Sequence, residues 1–185
     1  MWSSMRKINE IFYSIQGEGY FAGTPTVFLR FSGCNLRCPF CDTSHEDGEM
    51  MDDDEIVRRV SSFPSRRIVL TGGEPSLWID AQFIARLKAA GFFISIETNG
   101  TRPLPPGIDW VTCSPKEGAR VVLTAMDEVK VVFIGQDVER YHYATAAHHF
   151  LQPCSGLNTA ETLDYIMRHP HWRLSLQLHK LIGVR

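Results

Sequence analysis

Three cysteines lie close together at Cys34, Cys38 and Cys41, with the spacing Cys-x3-Cys-x2-Cys. Thiolate sulfur binds both iron–sulfur clusters and zinc, so one short loop can surround a metal centre with three ligands. A structural metal site normally has four protein ligands, whereas a catalytic site leaves one coordination position open. Three cysteines without a fourth therefore predict an iron–sulfur cluster in which one iron is free to bind a small molecule.

Two other interpretations of this loop stay open on spacing alone. His45 extends the pattern to Cys-x3-Cys-x2-Cys-x3-His, which would suit a zinc-binding interaction module. The cysteines could also be ordinary buried residues, although a polar loop fits that poorly. Cys113 and Cys154 each follow an apolar run, so we expect them to pack or to line a site and not to act as ligands.

Composition limits the classes of function. At 185 residues, with 44% hydrophobic and 22% charged residues, the chain is expected to form a single globular domain over residues 1–185. A net charge of −2 argues against nucleic acid as a partner. We expect no membrane segment and no signal peptide, and the true start is Met1 or Met5. Five cysteines, three of them clustered, fit metal binding in a reducing cytoplasm better than disulfides.

The elements that must position the cysteines alternate between strands and helices or loops. Parallel strands joined by crossovers follow from this order, and the fold class is α/β. A full eightfold barrel needs roughly 250 residues, so we predict a trimmed, open βα barrel of about six parallel strands with few helices. The predicted core strands are 26–31, 67–71, 92–97, 109–113, 128–134 and 148–152, with a strand or hairpin arm at 7–15 and a last strand at 173–178. The predicted helices are 52–63, 80–90, 137–147 and 158–168, the last capped by Asn158 with Leu163, Ile166 and Met167 on its apolar side.

Unusual polar residues follow the ends of these strands. In βα barrels the carboxyl edge of the sheet carries the active site, so we expect these residues to meet there. Arg30 lies inside an otherwise apolar strand, and its charge requires either a structural ion pair or an anionic ligand. The residues at strand ends are the three cysteines, Thr71, Gly73, Glu97, Asn99, Ser114, Lys116, Gln152 and His179.

The cysteine loop resembles the signature of the radical S-adenosylmethionine (radical SAM) superfamily, with Phe40 before the third cysteine. A second motif of the superfamily, Gly-Gly-Glu-Pro, occupies residues 72–75. The resemblance implies a 4Fe–4S cluster on the three cysteines. Its fourth iron would bind S-adenosylmethionine, which one electron from a flavodoxin- or ferredoxin-type donor would cleave to a 5′-deoxyadenosyl radical. The expected contacts with this cofactor are Phe40, Cys41, Asp42, Gly73, Ser114, Pro115, Lys116, Gln152, Pro153, Cys154 and Ser155.

Within the superfamily the chain is similar to 7-carboxy-7-deazaguanine synthases. The motifs that carry this similarity are 12–19 (Phe-Tyr-Ser-Ile-Gln-Gly-Glu-Gly), 97–100 (Glu-Thr-Asn-Gly), 113–116 (Cys-Ser-Pro-Lys) and 177–180 (Gln-Leu-His-Lys). The family often has an apolar and an acidic residue after Gln-Pro, where this chain has Cys154 and Ser155. Activating enzymes for glycyl-radical proteins share part of the pattern and remain an alternative.

The second resemblance implies a lyase that converts 6-carboxy-5,6,7,8-tetrahydropterin to 7-carboxy-7-deazaguanine with loss of ammonia, on the route to queuosine. It also implies a homodimer. Thr43 would bind a Mg²⁺ ion that assists ring contraction, because a hard cation suits oxygen ligands. Arg30 would bind the pterin carboxylate. The expected contacts with the pterin are Ile15, Gln16, Gly17, Arg30, Thr71, His179 and Arg185.

Overall fold

The computed structural model describes residues 4–143 and 145–185, so the candidate start at Met1 lies outside the described residues. Within them, nine strands form one sheet and four α-helices accompany it. The strands are β1 (Met5–Ile15), β2 (Pro25–Phe31), β3 (Glu49–Asp52), β4 (Arg67–Gly72), β5 (Phe93–Thr98), β6 (Trp110–Cys113), β7 (Glu128–Phe133), β8 (His148–Pro153) and β9 (Arg173–Leu174). The helices are α1 (Asp53–Ser61), α2 (Ala81–Ala89), α3 (Thr159–Arg168) and α4 (Leu178–Ile182).

The strand order of the sheet is β3-β1-β2-β4-β5-β6-β7-β8-β9. β1 pairs antiparallel with both β2 and β3, whereas each neighbouring pair from β2 to β9 is parallel. The sheet does not close, because β3 and β9 are its two edges. The predicted open α/β fold with few helices is confirmed, with seven parallel strands where we expected about six.

Residues alternate between the two faces of each strand, and the two faces differ in polarity. One face carries apolar side chains that pack against α1 and α2 in a continuous core. The opposite face, enclosed by the curved sheet, carries polar and charged side chains. The core includes Leu29, Leu70 and Ile96 from the strands with Val60 and Leu87 from the helices. The enclosed face includes Arg30, Thr71, Glu97, Lys130 and Gln152.

The helices α1 and α2 each begin directly after an aspartate whose side chain caps the helix. The carboxylate of Asp52 accepts the Glu55 N–H at 2.8 Å, and that of Asp80 accepts the Phe83 N–H at 2.8 Å. Side-chain acceptors at these positions satisfy N–H groups that have no partner within the helix. The predictions of both helices are therefore confirmed to within two residues at each end.

No described helix is both long and apolar enough to cross a membrane.

The predicted helix at 137–147 is wrong. Its described residues contain only the 3₁₀ turn Glu139–Tyr141. The Asp137 carboxylate accepts the Glu139 N–H at 3.2 Å, and His142 stacks on His149 of β8 with ring centroids 4.3 Å apart. These side-chain contacts hold the segment against the sheet, and aspartate and histidine are weak helix formers.

The helix α3 forms as expected, but its cap and its apolar face differ from the prediction. The Asn158 side chain accepts the Cys154 N–H at 2.8 Å and donates to the Phe133 carbonyl at 2.9 Å, so it ties two strand ends together and does not cap α3. Ile166 is buried, whereas Leu163 is 45% exposed and Met167 is 75% exposed. The helix therefore packs on a narrower face than its apolar residues indicated.

The predicted strand at 173–178 is also wrong beyond β9. The Leu178 N–H donates to the Gly17 carbonyl at 2.8 Å, and α4 follows. This bond turns the chain away from the edge of the sheet and toward the loop after β1.

Candidate active site

A pocket of about 340 Å³ opens at the carboxyl ends of the parallel strands. It brings together every residue that the sequence predicted for the cluster, cofactor, pterin and Mg²⁺ sites, except Pro115. The contacts assigned to those residues stay predictions. The predicted residues that line the pocket are Ile15, Gln16, Gly17, Arg30, Cys34, Cys38, Phe40, Cys41, Asp42, Thr43, Thr71, Gly73, Ser114, Lys116, Gln152, Pro153, Cys154, Ser155, His179 and Arg185.

The three cysteines lie on the loop between β2 and β3, at one wall of the pocket. Cys34 and Cys38 are half-buried and Cys41 is exposed. The Gly33 N–H donates to the His45 carbonyl at 2.7 Å, which closes the base of the loop. Burial raises the pKa of the Cys34 thiol, an effect that a bound cation would reverse by stabilising the thiolate.

The cysteine loop contains the two alternative ligand sets that the sequence left open. A zinc site places its ligands 2.0–2.3 Å from one ion. Among residues 4–143 and 145–185, no three Cys, His, Asp or Glu side chains are already placed to hold a metal ion. In an iron–sulfur cube each cysteine would bind a different iron, so the sulfur atoms need not meet at one point.

The Gly-Gly-Glu-Pro turn fastens the cysteine loop to the rest of the sheet. Glu74 is fully buried, and its carboxylate accepts the Thr98 hydroxyl and the Asn99 N–H, both at 2.7 Å. The Glu74 N–H in turn donates to the Gly33 carbonyl at 2.9 Å. One buried carboxylate thus links the ends of β4 and β5, and its own backbone carries that link to the cysteine loop.

The two glycines of this turn are needed for packing. A Cβ atom on Gly73 would lie 2.0 Å from the Gly33 carbonyl oxygen, and one on Gly72 would lie 2.2 Å from the Phe31 carbonyl oxygen. Both distances are far below van der Waals contact. The expected contact of Gly73 with the cofactor stays a prediction, and the structure adds a packing reason for both glycines, namely the backbone that leads into the cysteine loop.

A buried charge network forms the floor of the pocket. The Lys130 ammonium lies 2.5 Å from Glu18 Oε2 and 3.3 Å from Glu97 Oε1. Burial alone would lower the pKa of Lys130, but the carboxylates of Glu18 and Glu97 outweigh it and raise the pKa. Burial would likewise raise the pKa of Glu97, yet Lys130 and the Thr71 hydroxyl hold it below its usual value. The Lys130 side chain is thus a buried cation that faces two carboxylate groups.

Glu18 and Lys130 line the pocket but were not among the site residues predicted from the sequence. The signal for Lys130 is the one that identified Arg30, namely a cation inside an otherwise apolar strand. The signal for Glu18 is its position between Gly17 and Gly19, where the chain turns tightly.

Arg30 forms one of the two contacts that the sequence left open, the structural ion pair, and its role toward an anionic ligand stays a prediction. It lies directly opposite Glu10 in the β1–β2 pairing, and its Nε donates to Glu10 Oε1 at 2.8 Å. Arg185 pairs with the other oxygen of the same carboxylate. The Nη groups of Arg30 have no hydrogen-bond partner among residues 4–143 and 145–185, and the side chain lines the pocket. The ion pair therefore orients a guanidinium that can still bind an anion.

Residues 177–185, which we call the C-terminal strap, cross the pocket mouth from β9 back to β1. The Lys180 ammonium donates to Asp42 Oδ2 at 2.6 Å, next to the third cysteine. Burial would raise the pKa of Asp42, but Lys180 and Gln177 lower it. The Ser14 hydroxyl donates to the backbone oxygen of Arg185 at 2.5 Å. The strap thereby connects the region after β9 to the cysteine loop and to β1.

The far wall of the pocket is formed by the loops after β6 and β8. The Lys116 ammonium donates to the Ser114 hydroxyl at 2.6 Å and to the Ser114 carbonyl at 2.8 Å, and burial lowers its pKa. Ser155 has φ of 48°, a left-handed conformation that is uncommon for a residue other than glycine. These loops line the pocket with Ser114, Lys116 and residues 152–155, which are among the predicted contacts of the cofactor.

Comparison with known proteins agrees with this geometry. Residues 28–131 match the model of the radical SAM superfamily. The chain is 66% identical to a 7-carboxy-7-deazaguanine synthase from Bacteroides thetaiotaomicron over 98% of this chain and 100% of that protein. It is 41% identical to the Burkholderia multivorans enzyme of that name, over 96% and 98% of the two chains.

A solved structure gives the same result. The crystal structure of QueE from Escherichia coli aligns with a TM-score of 0.78 and 28% identity, covering 95% of each chain. The chain therefore belongs to the 7-carboxy-7-deazaguanine synthase family of the radical SAM superfamily.

Proposed function

We propose that the protein converts 6-carboxy-5,6,7,8-tetrahydropterin to 7-carboxy-7-deazaguanine with loss of ammonia. The observation that carries the proposal is the pairing, in one pocket, of an anion-binding arginine with a ring of hydrogen-bonding groups below the cysteine loop. Arg30 supplies the cation for a carboxylate. Gln16, Thr71 and Glu97, which are joined by hydrogen bonds of 3.0–3.2 Å, supply donors and acceptors for a flat heterocycle.

The chemistry is divided between the cofactors and the protein. When bound at the three cysteines, a 4Fe–4S cluster and S-adenosylmethionine supply the radical that abstracts a substrate hydrogen. The chain's own residues bind and orient the pterin. Charge-assisted pairing with Arg30 fixes the position of the carboxylate. His179 on the C-terminal strap covers Gly17 and limits the access of water to the pocket.

Thr43 is proposed to bind the Mg²⁺ ion that assists ring contraction. It lines the pocket two residues after the third cysteine, and a hydroxyl is a suitable ligand for this hard cation. We expect turnover to rise with added Mg²⁺ in the wild type, and Thr43→Ala to require a higher Mg²⁺ concentration than Thr43→Ser. Steady-state rates over a Mg²⁺ series measure both. A wild-type rate that does not depend on the metal after chelation would remove this role.

The electron donor and the assembly belong to the same proposal. The radical SAM family implies a reductant, which we take to be of the flavodoxin or ferredoxin type. A homodimer is proposed from the resemblance to the family.

The deciding experiment is a product assay under anaerobic conditions. Purified protein incubated with reductant, S-adenosylmethionine and the carboxytetrahydropterin should yield an ultraviolet-absorbing deazapurine and one ammonia per turnover. Release of 5′-deoxyadenosine without the deazapurine would contradict the pterin substrate and favour another radical SAM reaction, such as activation of a glycyl-radical protein. Colourless protein with one bound zinc would contradict both enzymatic functions.

A further inference from the structure

A second, much smaller cavity lies below the floor of the active-site pocket, on the enclosed face of the sheet. Its volume is about 10 Å³, which is close to the space that one water molecule needs. Gln16, Glu18 and Glu97 line both cavities. These three side chains are therefore the partition between the pocket and the space beneath it.

The wall of the small cavity holds three polar atoms without a hydrogen-bond partner among the described residues. They are Arg67 Nη1, Ser95 Oγ and Trp110 Nε1, all of which can donate a proton. Ser95 is only 4% exposed. A buried polar group left without a partner destabilises the folded chain. One water molecule in the cavity would satisfy such donors and could itself donate to a carboxylate.

Glu128 supplies that carboxylate. It lines the same cavity, is 2% exposed, and accepts the Tyr20 N–H at 2.9 Å. A Cβ atom on Gly19 would lie 2.1 Å from Glu128 Oε1, so the turn after β1 is built closely around this side chain. Glu128 forms no hydrogen bond with Lys130, because the ammonium group of Lys130 bonds to Glu18 and Glu97.

The charges around Glu128 do not balance if every group is ionised. The groups that face it are Lys130 on its own strand, Glu97 on β5, Glu18 in the turn after β1, Arg67 on β4 and His148, its partner in the β7–β8 register. The two carboxylates Glu18 and Glu97 already face the single ammonium of Lys130. The Arg67 guanidinium lies between the rings of Phe21 and Phe93, 3.9 and 4.2 Å from their centroids. Lys130 and the Tyr20 N–H favour an anion at Glu128, but burial and repulsion from Glu97 and Glu18 outweigh them.

We propose that Glu128 is a neutral carboxylic acid in the resting enzyme, and that one water in the small cavity lets it exchange this proton with Glu97. In the forward step the O–H bond of Glu128 breaks, the water passes a proton on, and an O–H bond forms on the Glu97 carboxylate. Lys130 and Thr71 hold the pKa of Glu97 low, so the proton rests on Glu128, and Glu97 readily gives up a proton that reaches it. When Glu97 has given this proton to the departing nitrogen, a proton from solvent restores Glu128. Burial raises the pKa of Glu128, which agrees with a retained proton.

The role of this proton rests on the proposed function. Loss of ammonia requires the departing nitrogen to gain a proton, and Glu97 lies in the pocket wall where the pterin would bind. Glu128 acts through Glu97 and is a proton-relay residue that need not touch the substrate. The cavity water connects the two carboxyl groups behind the pocket floor.

Infrared spectroscopy of the full-length enzyme, prepared anaerobically, tests the proton without turnover. At pH 7 we expect the carbonyl band of one protonated carboxyl group, which shifts in D₂O. The band should vanish in Glu128→Gln and persist in the matched control Glu49→Gln, whose side chain is 64% exposed. No such band, or a band that survives in Glu128→Gln, would overturn the proposal. Labelling wild-type glutamate with ¹³C should shift the band, and this test holds even if the variant does not fold.

The water link is tested with Ser95→Val, which fills the cavity and removes one donor. The band should remain, but its exchange with deuterium should slow at least about tenfold; an unchanged exchange rate would exclude the water path.

If the pterin is the substrate, Glu128→Gln should lower kcat by about tenfold or more with KM unchanged, in the range of proton-transfer effects. A wild type that shows the band but makes no deazapurine refutes the proposed function alone. A missing band with normal turnover refutes this inference alone.

Discussion

At the scale of the residue, Arg30 illustrates how a strand places a charge beside a ligand site. The alternation of β2 turns Arg30 to the enclosed face, while its neighbours Leu29 and Phe31 face the apolar core. The opposing carboxylate of Glu10 holds the guanidinium through Nε. The side chain is thereby fixed in direction before any anion arrives, so less entropy is lost on binding.

We expect Arg30→Ala to weaken pterin binding by about ten- to a hundredfold, because a hydrogen bond to a charged group contributes about 1.5–3 kcal/mol. Cleavage of S-adenosylmethionine without pterin should persist, since the hydrogen bond of Arg30 goes to Glu10 and not to the cysteine loop. The measurements are KM for the pterin and the rate of uncoupled 5′-deoxyadenosine release. Arg66→Ala, on the exposed surface, is the control. Equal loss of both activities in Arg30→Ala would mean that Arg30 is structural.

At the scale of the element, the cysteine loop has its position because the turn after β4 packs against it without side chains. Gly73 makes this contact, and a Cβ atom there would lie 2.0 Å from the Gly33 carbonyl oxygen. The loop would have to move away from the turn to relieve the clash.

We therefore expect Gly73→Ala to lose most of its bound iron while the sheet still folds. Overpacking of this kind costs about 1–3 kcal/mol, which the loop can avoid by detaching. Iron per chain and the visible absorbance of the cluster measure the effect, and circular dichroism checks the fold. Ser76→Ala in the same turn is the control, since its buried hydroxyl has no partner among the described residues. Normal iron content in Gly73→Ala would show that the contact is dispensable.

The C-terminal strap depends on a second close approach. A Cβ atom on Gly17 would lie 1.9 Å from Nδ1 of His179. We expect Gly17→Ala to displace His179 and to raise the KM for the pterin by about as much as His179→Ala does.

The double variant provides the control. Because both changes break the same contact, Gly17→Ala with His179→Ala should be little worse than either alone. The KM values of the wild type, the two single variants and the double variant form a double-mutant cycle. Fully additive effects would mean that Gly17 acts on the pterin independently of the strap.

At the scale of the whole molecule, the sheet separates two interiors of different polarity. One face and its helices form the apolar core, and the enclosed face holds the charges that the pocket requires. On the outer side of β8, His149 is 7% exposed, and its ring nitrogen lies 3.1 Å from the Tyr143 carbonyl oxygen. Burial lowers the pKa of His149, and the neighbouring His142 lowers it further.

This histidine should make stability sensitive to mild acid. Above the ordinary pKa of about 6.5 it is neutral in both the folded and the unfolded chain. As the pH falls below that value the unfolded chain binds the proton more readily, so the free energy of unfolding decreases. We expect Tm to fall between pH 7 and pH 5, and the fall to be smaller in His149→Phe. His148→Phe on the same strand, whose ring packs against Tyr20 instead, should behave as the wild type does. An unchanged pH dependence in His149→Phe would contradict this assignment.

The sequence predicted the parts of the fold that depend on local chemistry. Strand positions followed from apolar runs, and α1 and α2 followed from the spacing of their apolar residues, because both patterns are local. The same reasoning failed at 137–147 and at Asn158, where side chains bond to strands distant in the sequence. Local preference is weak, and a few tertiary contacts outweigh it.

By itself, the sequence predicted most of the residues that line the pocket, since cysteine spacing and polar residues at strand ends are properties of the chain. Only the tertiary structure decided how these residues work together. It placed Glu18, Glu97, Glu128 and Lys130 around one buried centre, gave Gly73 a packing role, and turned residues 177–185 into a strap. The physical reason is that charge balance, burial and close approach depend on distances between segments far apart in the chain, which no local pattern specifies.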